Sequence, residues 1–116
     1  MDMQSAPQTA GAAMQLPDLD VLITKWLQHE RAFNQAAAAT LAIYAKALHL
    51  FADWLREDNQ TPGRVTCATI AAFREWLGQR CTAQTVRRRL RAVRRFYSWM
   101  VITDRRAFSP AASIKD

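Results

Sequence analysis

The sequence predicts an all-α fold, a compact four-helix bundle, from three observations. Apolar residues recur at helical spacing in four separate stretches. Short polar or Pro/Gly-containing links divide those stretches from one another. No period-two apolar run is long enough for a strand, and no internal repeat is present. The 116 residues, 50% hydrophobic and 22% charged, suit one globular domain. A chain of this size buries roughly two thirds of its unfolded surface and needs neither metal nor disulfides to fold.

Residues 1–16 are rich in Gln, Ala, Ser and Thr without apolar period, which predicts a flexible N-terminal arm. Residues 17–108 form the helical domain, and 109–116 begin a linker. The first helix is expected over Asp18–Arg31, where Leu19, Leu22, Ile23, Trp26 and Leu27 make one stripe. Asn34 is the expected N-cap of a second, long helix over Gln35–Glu57. Ala36 to Ala39 are strong helix formers; Thr40, Tyr44, Ala47, Phe51 and Leu55 share a face, with Lys46, His49 and Asp53 opposite. Thr61-Pro62-Gly63 breaks the chain. Thr66 caps a third helix, Cys67–Gln79, with Ile70, Phe73, Trp76 and Leu77 inward, and Thr82 caps a fourth, Ala83–Val101. Ser109-Pro110 has the form of an N-cap and first residue of another short helix.

Net charge is +6, but its distribution says more than its sum. Between Arg80 and Arg106 there are nine arginines and one acid, Asp104, so that segment carries +8 and the rest −2. Within it, Val86 to Arg95 reads VRRRLRAVRR. At about 100° per residue, Val86, Leu90, Val93, Tyr97 and Met100 fall on one side, widened by Phe96. Arg87, Arg91, Arg94, Arg95 and Ser98 fall opposite, with Arg88 at a margin. Arg89 lies near the apolar edge, where its stem can pack and its head reach outward. Like charges three and four residues apart cost a few tenths of a kcal/mol per pair, and no acid lies between Gln79 and Thr103 to offset them. A merely solvated face mixes signs. A row of guanidinium forks suits phosphates, which accept paired hydrogen bonds, so the expected partner is double-stranded DNA.

Other classes find less support. No apolar run approaches the roughly 18 residues of a membrane span. Asp2 and the lack of any Lys or Arg before Lys25 do not resemble a signal peptide, so a cytoplasmic protein is expected. Cys67 and Cys81 have no metal or redox spacing and are read as semi-buried thiols. The four tryptophans, one per helix, read as core residues. His49 has no second His or Cys one turn away, and no metal or other cofactor is expected. No acid pair, nucleophile–base set or Gly-rich phosphate loop suggests an enzyme.

Two stretches and a short tail also carry a family resemblance. Thr40, Tyr44, Leu48, Phe51, Trp54 and Leu55 follow T-x3-Y-x3-L-x2-F-x2-W-L; Thr85 to Trp99 reads TVRRRLRAVRRFYSW; Ser109-Pro110-Ala111 follows. In this order they resemble the core-binding domain of tyrosine recombinases, the phage integrase type, over about Leu19–Ile114. The resemblance implies a SAM-like orthogonal bundle whose second and fourth helices lie against duplex DNA as half of a C-shaped clamp. It implies DNA contact for Thr40, Lys46, Arg87, Arg88, Arg91 and Arg95. Arg94, at the family's usual arginine, is assigned either to DNA or to bracing the domain. Ser109 replaces the usual Asn, and residues 34–39 lack the usual Ser-Pro helix start. The family's nucleophilic tyrosine belongs to a second domain, while Tyr44 and Tyr97 lie on apolar faces here, so a non-catalytic piece of a recombinase is expected, self-associating only as the full-length protein on DNA. Two further readings stay open: a stand-alone helical regulator with Gly78 to Cys81 as the turn of a helix-turn-helix, and a protein-interaction domain whose arginines meet an acidic partner.

Overall fold

The computed structural model describes residues 19–57, 65–103, 105–106 and 109–112. They form four helices: α1 (Leu19–Phe33), α2 (Ala38–Glu57), α3 (Cys67–Gly78) and α4 (Ala83–Ile102). The all-α bundle expected from apolar periodicity is the observed fold, and no strand occurs among the described residues. None of these helices is long and apolar enough to cross a membrane. The expected N-terminal arm and the Pro62-Gly63 breaker lie outside the described residues.

α2 and α4 pack against one another and each also packs on α1, while α3 packs on α4 and reaches α2 through Phe73, 4.9 Å from Phe51. α4 therefore touches all three other helices. This explains why its buried arc is wider than periodicity predicts: Ala92 and Trp99 are buried as well as Val86, Leu90, Val93, Phe96, Tyr97 and Met100. An aromatic path threads the core. Trp26 meets Phe96 edge-on at 5.9 Å, Phe96 meets Tyr97 at 5.2 Å, Tyr97 meets Phe51 at 6.2 Å, and Phe51 meets Phe73 at 4.9 Å. Each such pair adds about 0.5–1.5 kcal/mol to the area term. Trp26 and Trp99 are buried; Trp54 and Trp76 are half-buried and pack against the same core.

The helix ends follow the sequence except at one junction. Thr66 caps α3 in a reciprocal capping box with Thr69, and Thr82 caps α4 by accepting from the Thr85 amide. Ser109 Oγ accepts from the Ala111 amide at 3.1 Å, as its capping position predicts, and the turn that follows buries Ala111 against the core. The exception is the start of α2. Asn34 does not cap it, and the helix begins at Ala38, not Gln35. Gln35 has φ 54°, the left-handed region, which no helix can propagate through. Asn34 instead finishes α1: its amide and that of Ala36 both donate to the Glu30 carbonyl, at 3.2 and 3.1 Å. The cysteine expectation also needs correction. Cys81 is half-buried but Cys67 is exposed, and no disulfide joins them.

The Tyr97 hydroxyl is buried with no hydrogen-bond partner among the described residues. Burial pushes its pKa above the ordinary phenol value, against the opposing pull of Arg106. An unpaired buried hydroxyl costs about 1–3 kcal/mol. Tyr97→Phe is therefore expected to stabilise the domain by about 1 kcal/mol, or roughly 4–8 °C in a thermal melt. The pH dependence follows from the same observation. Above the ordinary phenol pKa of 10.0 the unfolded chain releases this proton and the folded chain keeps it, so stability falls as pH rises. The Phe variant should show a smaller alkaline loss in melts across pH 9–11, and a less stable Phe variant would contradict the burial argument.

Candidate nucleic-acid interface

The arginines that crowd one segment of sequence separate into two groups in space. One group braces the fold. Arg80 donates to the Trp76 carbonyl at 3.0 Å and stacks over its ring. Arg89 lies half-buried with Nη1 3.4 Å from Cys81 Sγ, in the edge position its place on the helix predicts. Arg105 lies over Trp99, and Arg106 lies over Tyr97 while donating to the Val65 carbonyl at 2.8 Å. Together the last two fasten the segment after α4 to the core.

Arg95 belongs to this bracing group. Its Nε and one Nη donate to Glu30 Oε1, at 3.1 and 2.6 Å, and its guanidinium lies 5.8 Å from the Tyr44 ring. These bonds hold the Arg95 pKa above its ordinary value, against the opposing effect of burial. Glu30 is 2% exposed, the one buried charged residue among those described. Its other oxygen accepts from the Asn34 side-chain amide. Breaking a buried ion pair from one side costs about 3–5 kcal/mol, far more than the 0–1 kcal/mol of an exposed pair. The pair thus ties α1, the α1–α2 junction and α4 at one point. Glu30 was not picked out from sequence, although it sits four residues after Trp26, in line with the apolar stripe of α1.

The second group faces outward. Arg87, Arg88 and Arg91 are exposed and, with Gln84, line a shallow polar depression of about 290 Å³ near the start of α4. No acid of the described residues forms an ion pair with Arg87 or Arg88. The first turn of α4 contains no acidic residue. Arg87 and Arg91 stand four apart and Arg88 and Arg91 three, spacings at which like charges cost a few tenths of a kcal/mol per pair. Such an arrangement lowers stability unless an anion arrives. Arg94, half-buried, borders a separate groove with Arg95, His29 and Trp99.

The two predicted residues on α2 part company. Thr40 is half-buried in the first turn, one turn before Tyr44 and on the same face, so it lies towards Arg95 and α4. Lys46 is exposed two positions after Tyr44, roughly 200° around the helix, on the side away from α4. His49 points towards α1, where its Nδ1 lies 3.3 Å from Asp20; Arg56 bridges Asp20 and Asp53 at 2.5 and 2.8 Å. This network is a clasp between α1 and α2. No group of three or more metal-ligating side chains occurs among the described residues.

Comparison with known families covers most of this helical domain. The profile of one family, described as the phage integrase N-terminal SAM-like domain, matches residues 23–102, from within α1 to the end of α4. No curated protein and no solved structure matches the chain.

Proposed function

The chain belongs to the phage integrase N-terminal SAM-like domain family, and from that premise we propose that it is a duplex-DNA-binding module, half of a clamp that grips the double helix through α2 and α4. Arg87, Arg88 and Arg91 donate forked hydrogen bonds to phosphate oxygens, and Thr40 adds a hydroxyl from the start of α2. Phosphate contacts of this kind fix position and affinity and carry little sequence information. Lys46, on the far side of α2, falls outside this surface. The module works on double-stranded DNA in the cytoplasm.

The observation that carries the reading is the exposed face of α4. It holds Arg87 and Arg88 without an acidic partner beside Arg91, while Arg80, Arg89, Arg95, Arg105 and Arg106 of the same segment are engaged inside the domain. Two exposed neighbouring cations, Arg87 and Arg88, without an acidic partner among the described residues favour an external anion. The module contributes binding and no chemistry. Tyr97 is fully buried, which keeps its hydroxyl from a phosphodiester, and Tyr44 packs its ring against Trp26 and the Arg95 guanidinium as part of the bundle.

Fluorescence anisotropy with a labelled duplex of about 30 base pairs tests this directly. Saturable binding at low salt is expected, with log K falling by about 0.9 per phosphate neutralised as log salt rises. Absence of binding at the lowest salt, with an acidic protein captured instead, would refute the DNA assignment.

A further inference from the structure

Arg95 holds an unusual position among the arginines of α4. It is committed to a buried carboxylate, yet nearly half of its side chain, 45%, remains exposed. On the helix it falls about 40° from Arg91 and 20° from Arg88. Its head is drawn from there towards α1. Glu30 occupies Nε and one Nη, both through Oε1, which leaves further N–H groups of the fork unspoken for. The carboxylate is itself fixed. Its second oxygen is held by the Asn34 side chain, and the Glu30 carbonyl receives two amides of the α1–α2 junction. A buried carboxylate does not surrender its cation to an exposed phosphate, because the exposed contact is much the weaker of the two. Arg95 therefore stays on Glu30 when an anion approaches.

We infer that Glu30 is a positioning residue for nucleic-acid binding: it presents the outer edge of Arg95 beside Arg88 and Arg91, extending the phosphate-binding row of α4 towards α1. The inference rests on the duplex-binding reading above. It differs from simple bracing in what it asks of Arg95, which serves the fold through one edge and a phosphate through another. It also differs from simple electrostatics. An acid near a DNA surface ordinarily repels phosphate, so neutralising it should tighten binding. A positioning acid has the opposite effect, because without it the arginine fork swings free.

Glu30→Gln decides between these signs. The substitution keeps shape and raises net charge by one. Binding of the full 116-residue chain to the same duplex is expected to weaken three- to tenfold. The salt slope should fall by about 0.9, one phosphate contact. Arg95→Gln should produce the same loss, and adding Glu30→Gln to it should change nothing more. Arg95→Lys, which keeps the charge and loses the fork, leaves the buried carboxylate in place and serves if Glu30→Gln does not fold; a loss of about threefold is expected. Unchanged or tighter binding by Glu30→Gln with an unchanged slope, or unchanged binding by Arg95→Lys, would overturn the inference while the parent's binding left the duplex reading standing. A parent chain that binds no duplex would overturn both.

Discussion

Arg95→Ala is expected to lower stability by about 2–3 kcal/mol, the largest loss from any single arginine of α4. The substitution strands the Glu30 carboxylate, 3% exposed along its side chain, with only the Asn34 amide as partner. A fully buried pair broken this way costs about 3–5 kcal/mol. The figure is reduced here because the arginine is 45% exposed, so solvent already screens part of the pair. The same change at Arg87 or Arg88 should alter stability by less than about 0.5 kcal/mol, since neither side chain contacts the core. Small gains are expected there, because each removes a like charge one turn from Arg91. Urea unfolding of the three variants in parallel checks the contrast. Equal stability of Arg95→Ala and the parent would mean that Glu30 is satisfied without Arg95.

Binding should show the reverse ranking. Replacing Arg87, Arg88 and Arg91 together by Ala is expected to reduce duplex affinity on the order of 100-fold at low salt, from three phosphate contacts at about 1 kcal/mol each. The magnitude of the salt slope should drop by about 2.7, because three counterions are no longer released. Helicity should persist, as all three side chains point away from the core. Anisotropy titrations of parent and triple variant across salt give both quantities. A triple variant with the parent's slope would place the phosphate contacts elsewhere.

Much of the fold was legible because burial in a small bundle follows helical periodicity closely. The stripe Leu19, Leu22, Ile23, Trp26 is buried as spaced, and Thr66 and Thr82 cap the helices they precede. The start of α2 was not legible. Ala36 and Ala37 favour helix intrinsically, but Gln35 adopts a left-handed backbone that ends α1 and delays the next helix. Single-residue propensity gives no sign of this local capping motif, in which the Ala36 amide reaches back to the Glu30 carbonyl. The arginine face was only half legible. Periodicity separates outward from inward positions, and it correctly set Arg89 at the apolar edge. It cannot tell that Arg95 meets an acid 65 positions earlier in the chain. The sequence did hold a clue at the other end: an acid within an apolar stripe needs a buried partner. On α2, the family pattern grouped Lys46 with Thr40, whereas helical spacing sets them about 120° apart and puts Lys46 on the exposed side.

The central claim is that the exposed arginines of α4, and not the basic residues scattered over α1 and α3, lie on the duplex. The most direct measurement is the side-chain Nε–Hε NMR spectrum of the labelled chain, with and without a short duplex. The Arg87, Arg88 and Arg91 signals should shift progressively on titration. Unmoved signals from those three, with shifts at Arg31 on α1 and Arg74 on α3 instead, would contradict the account.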